Sequence, residues 1–141
     1  MKRIIVCLLL AAALAAPSLA LASGGASASL RTTMTGRKAV PRGARSGRAT
    51  AVIRISGRRV CWTFGRLHGT DKPRAAFLKK GIPGEFGPVI LKLGPRYSAS
   101  GCATTTLGNA QQLALSPRGY YVTVNTRRFP LGAVRGQLRK A

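Results

Sequence analysis

The chain has 141 residues, of which 24 are Lys or Arg and 2 are Asp or Glu, so its formal net charge is +22. This length suits one domain. The two carboxylates, Asp71 and Glu85, lie far apart in sequence, which argues against a two-carboxylate glycosidase or an oxygen-liganded calcium cage. His68 is the single histidine, so a site with several histidine ligands is excluded. The 45% hydrophobic content is that of a folded protein rather than a disordered basic tail.

The first 22 residues have the pattern of a secretory signal peptide. Met1-Lys2-Arg3 forms a positive start, residues 4–16 are apolar, and Ala20-Leu21-Ala22 fits a small-residue cleavage site. The alternative is an uncleaved N-terminal anchor, but the apolar run is short for a membrane span and is broken by Pro17. We therefore expect a secreted or cell-envelope protein that contacts a membrane only through this peptide during export.

Two cysteines, Cys61 and Cys102, would remain after cleavage, because Cys7 lies within the predicted signal peptide. In an exported protein an even pair of cysteines favours a disulfide, which we predict here. Closing a loop of about forty residues would stabilise the fold by roughly 3–4 kcal/mol in the loop-entropy model. Two free buried thiols are the alternative.

The rest of the chain reads as a flexible linker over residues 23–29 and a β-domain over residues 30–139. Apolar residues alternate in segments 49–55 and 60–64, where Trp62 lies on an inward face and Cys61 on the other. Segments 89–91, 120–126 and 133–138 are also rich in β-formers, and Gly and Pro separate the segments. Only residues 75–80 could be mistaken for a helix. We predict an all-β fold, a single antiparallel Greek-key-like β-sandwich of about seven or eight strands.

The single histidine does not have the setting of a catalytic base. His68 lies in the turn-like segment 67–71, close enough to Asp71 for a local hydrogen bond. A catalytic histidine needs a positioned nucleophile and an orienting group, and no nucleophile-elbow motif is present. The Gly-rich segment 81–88 lacks the spacing of a phosphate-binding loop. We therefore interpret His68 as a surface residue and predict no catalytic residue, cofactor or metal.

Basic residues are spread along most of the chain and are densest between residues 37 and 48. They include Arg37, Lys38, Arg42, Arg45 and Arg48, then Arg58-Arg59, Lys79-Lys80 and Arg127-Arg128. Such a charge attracts polyanions, which outside the cell are wall polymers, acidic glycans and anionic lipid headgroups. Nucleic acid is not the physiological partner that we expect, because aromatic residues for base stacking are scarce. A solvated cationic surface with no dedicated ligand is the alternative.

Three segments of the C-terminal half carry a recognisable combination of motifs. They contain Gly87, Pro88 and Val89 in segment 87–93, Tyr120, Tyr121, Val122 and Thr126 in segment 120–126, and Pro130, Gly132, Arg135, Gly136, Gln137 and Leu138 in segment 129–138. In order and spacing these segments resemble the CHRD domain, a family named from chordin that also occurs in exported bacterial proteins. A looser similarity over residues 35–50 extends the resemblance to about residues 30–138.

Departures from the family pattern bear on function. Family members commonly carry a His-x-His pair before the Gly-Pro-Val strand and another histidine in the Tyr-Val strand, and the corresponding positions here are Phe77, Lys79 and Asn125. Because residues two apart share a strand face, such histidines could cluster and bind a metal, which these three side chains cannot. Ala39 replaces the family's acidic residue, so we expect Arg135 to lack an acidic partner.

The resemblance implies a secreted, non-enzymatic domain with an extracellular structural or interaction role, which is our leading prediction. One alternative is a cationic module that binds a polyanion at the cell envelope or on nucleic acid. The other is a sandwich-type metalloenzyme, suggested only by the family's histidines. The expected partner is an extracellular protein or a polyanion, and the sequence specifies no oligomeric state.

Overall fold

The computed structural model describes residues 25–141, and the predicted signal peptide, residues 1–22, lies outside them. Within the described residues the chain forms nine strands and one α-helix, in the order β1 (Ser27–Thr35), β2 (Arg48–Ser56), β3 (Arg59–Phe64), β4 (Pro73–Lys80), β5 (Val89–Lys92), β6 (Ser100–Thr104), α1 (Leu107–Leu115), β7 (Tyr120–Thr126), β8 (Val134–Gln137) and β9 (Arg139–Lys140). Short 3-10 helices cover Gly36–Lys38 and Pro117–Gly119. None of the helices in residues 25–141 has the length and hydropathy needed to span a membrane.

The strands form one antiparallel sheet in the order β5-β4-β7-β8-β1-β2-β3-β6, with β9 added beside β1. Segment 93–99 connects the two end strands and hydrogen-bonds to both sides of the gap. The Tyr97 N–H donates to the Arg74 carbonyl at 2.9 Å, and the Phe64 N–H donates to the Ala99 carbonyl at 2.6 Å. The sheet is therefore nearly closed, like a barrel. The predicted all-β antiparallel fold is confirmed, with nine strands where seven or eight were predicted.

The hydrophobic core lies inside the curled sheet and follows the predicted alternation. In β2 and β3 every second residue is buried, including Ile53, Val60 and Trp62, while Arg54 and Thr63 face solvent. The Trp62 indole lies across Gly101 of β6 and donates from Nε1 to the Ser98 carbonyl at 3.1 Å. A side chain at residue 101 would overlap the indole, so the glycine permits this packing.

The predicted disulfide is confirmed. Cys61 and Cys102 are bonded to each other and lie directly opposite one another on β3 and β6. Cys61 lies on the face of β3 opposite the core, as the alternation predicted. The bond joins β6, at one end of the sheet order, covalently to its neighbour.

Two parts of the chain differ from the sequence prediction. Residues Ser27–Ser29 were assigned to the linker but form the start of β1, where Ser27 pairs with Ser56 of β2. Helix α1 was not predicted; it begins after Thr106, whose Oγ1 accepts from the Asn109 N–H at 3.2 Å. Such a bond satisfies one of the unpaired N–H groups of a first turn. Residues 75–80, which could have been mistaken for a helix, lie in a strand, β4, so no helix forms there, as predicted.

Candidate functional site: the cationic face of β4, β7 and β8

Three neighbouring strands present a polar face on the side away from the hydrophobic core. In β7 the core side holds Val122 and Val124, so Tyr121, Thr123 and Asn125 lie on the other side. Strand register extends these into rows: Phe77–Thr123–Arg135 and Lys79–Tyr121–Gln137. We call this surface the cationic face; its members are Phe77, Lys79, Tyr121, Thr123, Asn125, Arg135 and Gln137. Although polar, most of it is buried, with Arg135 only 2% exposed and Lys79 only 4% exposed.

The Arg135 guanidinium makes its hydrogen bonds without a carboxylate partner. Nη2 donates to the Ile82 carbonyl at 2.7 Å and to Gln137 Oε1 at 3.3 Å, and Nη1 donates to the backbone carbonyl of Glu85. Burial lowers the pKa of Arg135, while Tyr121 and the Glu85 charge act to raise it. The guanidinium of Arg135 is thus held by the dipoles of backbone carbonyls and by the Gln137 side chain.

Segment 81–88 covers the cationic face and is fixed to it at several points. Besides the two carbonyls bound by Arg135, the Gly81 carbonyl accepts from Gln137 Nε2 at 2.6 Å. The Gly87 N–H donates to the Tyr121 hydroxyl at 2.8 Å. A Cβ at residue 87 would overlap the Lys80 carbonyl, so this close approach requires glycine. The motif residues Tyr121, Arg135 and Gln137 therefore serve to hold this covering segment.

Lys79 lies on the same face in an apolar setting. Its Nζ is 4.2 Å from the centroid of the Phe86 ring and 5.9 Å from that of Phe77. Burial lowers the pKa of Lys79 below its ordinary value of 10.5, and the positive charge of Arg135 lowers it further. An ammonium held over aromatic rings is stabilised by the negative face of each ring. Phe86, itself half-exposed, acts as a cap, which sequence analysis missed because periodicity cannot show what a loop folds onto.

Two buried oxygens of β7 have no hydrogen-bond partner among residues 25–141: Thr123 Oγ1 and Asn125 Oδ1. The Asn125 amide nitrogen does have a partner, because Nδ2 donates to the Pro130 carbonyl at 2.6 Å. Unpaired buried polar atoms carry a desolvation cost. In this part of the face, two oxygens that could accept hydrogen bonds receive none from the described residues.

The three positions that correspond to family histidines do come together. Phe77 and Lys79 share one face of β4, and Asn125 lies on the same face of the paired strand, opposite Ala75. A phenyl ring, an ammonium between two rings and a single amide oxygen do not fit a transition metal, which prefers imidazole, thiolate or carboxylate ligands. Residues 25–141 also contain no group of three His, Cys, Asp or Glu side chains that could hold an ion.

The remaining motif residues have structural positions. Thr126 Oγ1 accepts from the Phe129 N–H at 3.1 Å, just before Pro130, and the turn that contains Pro130 is closed by the Gly132 N–H, which donates to the Phe129 carbonyl at 3.2 Å. Tyr120, Val122 and Leu138 are core residues, and Gly132 has a φ of +142° that side chains disfavour. Gly136 lies against Thr32 and Met34, with no space for a Cβ. Pro88 accepts from the Lys80 N–H at 3.0 Å, and Val89, half-exposed, begins β5.

His68 and Asp71 do not form the local pair that the sequence allowed. His68 is exposed and its backbone exchanges hydrogen bonds with Arg48. Asp71 accepts from Thr70 Oγ1 at 3.3 Å and from the Arg128 N–H at 3.2 Å. A hydrogen bond from the Thr126 hydroxyl is the largest cause that lowers the pKa of Asp71, and desolvation acts in the opposite direction. These hydrogen bonds connect the Asp71 carboxylate to loop residues on both sides, Thr70 and Arg128.

Most of the densest basic segment lies in residues 36–47, a hydrogen-bonded loop between β1 and β2, which we call the arginine loop. Its backbone is closed by bonds from the Gly36 N–H to the Gly47 carbonyl at 3.1 Å and from the Gly43 N–H to the Gly36 carbonyl at 2.9 Å. The Ala44 N–H attaches it to the Ala133 carbonyl at 2.9 Å. Its glycines and alanines are buried, and its exposed basic side chains are those of Arg37, Lys38, Arg42 and Arg45.

Comparison with known proteins agrees with the residues described above. The family model for the CHRD domain matches residues 30–138, which is more than half of the chain. Searches of curated proteins and of solved structures returned no match. The match runs from the fourth residue of β1 to the end of the Arg-Gly-Gln-Leu segment and includes the cationic face and its covering segment. The chain therefore belongs to the CHRD domain family.

Proposed function

We propose that this protein is exported and works outside the cytoplasm as a non-catalytic CHRD module with a structural or interaction role. Family membership supports an extracellular type of module. The Cys61–Cys102 disulfide supports an oxidising compartment, where such bonds form and persist. The signal-peptide pattern of residues 1–22 points the same way.

The proposal that the protein is not a catalyst is supported by the residues of the cationic face. The positions at which relatives carry histidines hold Phe77, Lys79 and Asn125, and the neighbouring Arg135 binds backbone carbonyls rather than a free site. A face whose charged groups hold a covering segment supports a scaffold rather than a reaction centre. The metalloenzyme alternative has no ligand set here to support it.

Metal analysis of the purified protein tests this function. We expect no stoichiometric zinc or copper after exposure to either ion and desalting, and a bound equivalent of either metal would overturn the proposal. Cell fractionation with N-terminal sequencing tests export. We expect the protein outside the cytoplasm with its chain beginning at Ser23, and a cytoplasmic chain retaining residues 1–22 would contradict export.

A second candidate function is the binding of a polyanion, favoured by the arginine loop. The loop presents four basic side chains from a hydrogen-bonded backbone, and Arg128 lies beside it. Retention on an immobilised polyanion tests this function, with an affinity that falls steeply as salt rises. Absence of retention at low ionic strength, or retention that salt leaves unchanged, would contradict it.

A further inference from the structure

Four open surface cavities lie around the arginine loop. Four arginines each line two of these cavities. Arg37 lines cavities of about 430 and 330 Å³, and Arg42 lines cavities of about 430 and 150 Å³. Arg45 lines those of about 430 and 460 Å³, and Arg128 those of about 460 and 150 Å³. The cavities are therefore neighbours that share arginines, and the cavity of about 430 Å³ shares one arginine with each of the other three. We call Arg37, Arg42, Arg45 and Arg128 the arginine band.

The shape of the band suits a chain rather than a small molecule. Sites for small ligands are concave and bury most of the ligand, whereas the central cavity here is open and is lined by three exposed arginines. Successive openings that share their lining residues would let one extended molecule pass from arginine to arginine. The closed backbone of the loop sets the spacing in advance, so less conformational freedom would be lost on binding.

The charge of the band selects an anion. Asp71 is the one described carboxylate that lines any of the four cavities, and it already accepts hydrogen bonds from Thr70 and the Arg128 backbone. The guanidiniums of Arg37, Arg42 and Arg45 are thus available to a ligand. Arginine donates in a planar fork that matches the paired oxygens of carboxylate and phosphate groups.

The lining chemistry does not suit nucleic acid. Phe129 is the one aromatic residue that lines the four cavities in the described part of the chain. It is partly buried, and its ring is already in contact with the Arg128 guanidinium, 5.7 Å from the ring centroid. Single-stranded nucleic acid is usually held by several aromatic side chains on which successive bases stack. A polymer that offers charge without bases fits the band better.

We propose that the arginine band binds a linear, non-nucleic polyanion of the cell exterior, with carboxylate or phosphate groups of the polymer seated in neighbouring cavities. This inference rests on the polyanion binding proposed above and assigns it to one site. It separates a dedicated site from the general attraction of a very basic protein. The same chemistry is offered by uronic-acid polymers and by phosphate polymers, so the experiment includes both.

The test compares two triple variants with equal charge. R37Q/R42Q/R45Q removes three arginines of the band, and R54Q/R59Q/R96Q removes three exposed arginines that line none of the four cavities. Binding to polygalacturonate, to inorganic polyphosphate and to single-stranded DNA is measured by titration at two salt concentrations. Because all six side chains are exposed, we expect both variants to unfold at the temperature of the unmodified protein.

We expect the band variant to lose affinity for polygalacturonate or polyphosphate about tenfold more than the control variant. The slope of log affinity against log salt concentration should become shallower by about two to three units, the change expected when about that many ionic contacts are lost, as in nucleic-acid complexes. The tighter of the two polymers identifies carboxylate or phosphate as the preferred group, and either result supports the site.

Three results would count against the site or the function, and they differ from one another. Equal weakening of both variants would show that overall charge acts, which overturns the band but leaves polyanion binding intact. Failure of the unmodified protein to bind any of the polymers at low salt would overturn the polyanion function itself. Tighter binding of DNA than of either polymer would replace the proposed ligand with a nucleic acid.

Discussion

The guanidinium carbon of Arg135 lies 3.5 Å from the centroid of the Tyr121 ring on the neighbouring strand. The two residues are diagonal neighbours, since Tyr121 pairs with Gln137 and Arg135 pairs with Thr123. The ring supplies a negative face to a buried cation, and the carbonyls of segment 81–88 supply the acceptors. Together these contacts stabilise the buried guanidinium without a carboxylate partner among the described residues.

The first prediction concerns the shape of the Arg135 side chain. Arg135→Lys keeps the charge but cannot donate to Ile82, Glu85 and Gln137 together, so we expect a loss of about 2–4 kcal/mol in the free energy of unfolding. Urea denaturation measures it. The matched change Arg127→Lys, at an exposed position, should cost less than about 0.5 kcal/mol. Equal stability of the two variants would show that charge alone suffices at residue 135.

A second prediction tests whether Arg135 is bound by the backbone carbonyl of Glu85 or by its side-chain carboxylate. Arg135 binds the backbone oxygen of Glu85, and the Glu85 side chain is exposed. We therefore expect Glu85→Gln to change the free energy of unfolding by less than about 0.5 kcal/mol, because an exposed charge contributes little. A loss near that of Arg135→Lys, measured in the same urea titration, would mean that the carboxylate is the true partner.

The third prediction is a pH dependence caused by Lys79. Its pKa is lowered in the folded protein by burial and by the charge of Arg135, from an ordinary 10.5. Between the lowered pKa and 10.5 the unfolded chain binds more protons than the folded one, so stability rises with pH across that window. Below the lowered pKa both states are protonated and the full penalty of the buried charge applies.

Lys79→Met removes this titration. We expect the variant to show a smaller rise in unfolding free energy as pH approaches 10.5 than the unmodified protein, measured by denaturation at a series of pH values. Lys80→Met is the control, since the adjacent lysine is exposed and its removal should preserve the rise. Parallel curves for Lys79→Met and the unmodified protein would contradict the assignment.

Some strands could be predicted and others could not, for identifiable physical reasons. In β2 and β3 one face meets the core and the other meets solvent, so the sequence alternates and both strands were predicted. Strand β4 is covered on both faces near its end, where Leu78 and Lys79 are both buried, and the alternation disappears. The start of β1 is built of small residues whose pairing with β2 leaves no hydrophobic signal.

Helix α1 shows a different limit. Only Ala110 and Leu113 of its nine residues are buried, so the apolar stripe that predicts a helix is too short to see. The cap at Thr106 was the available signal, but a threonine in a run of three threonines is weak on its own. In the candidate site, family motifs identified Tyr121, Arg135 and Gln137, yet no periodicity could show that segment 81–88 folds over them.

The fourth prediction concerns the disulfide. Cys61 and Cys102 are 41 residues apart and join β6 to β3, so the bond restricts the unfolded chain over a long loop. We expect the double variant C61S/C102S to lose about 2–4 kcal/mol of unfolding free energy. Thiol titration of the denatured, non-reduced mature protein should find no free thiol. Two free thiols per chain would contradict the disulfide.

The last prediction compares two buried threonines on β7 that differ in hydrogen bonding. Thr123 Oγ1 has no partner in the described residues, whereas Thr126 Oγ1 accepts from the Phe129 N–H. Valine has nearly the same shape as threonine but no hydroxyl. Thr123→Val removes an unpaired polar atom and should raise the unfolding free energy by about 1 kcal/mol, and Thr126→Val leaves a turn N–H unpaired and should lower it by about 1–2 kcal/mol.

Both threonines are almost fully buried, 3% and 2% exposed, so the two variants are matched in burial; they differ in hydrogen bonding, because the Thr126 hydroxyl bonds to the Phe129 N–H and to Asp71. Urea denaturation of both at neutral pH gives the comparison. Opposite signs support the hydrogen-bond assignments of Thr123 and Thr126. If Thr123→Val destabilises the protein as much as Thr126→Val does, then the Thr123 hydroxyl has a partner in solution, such as an ordered water that it shares with Asn125 Oδ1.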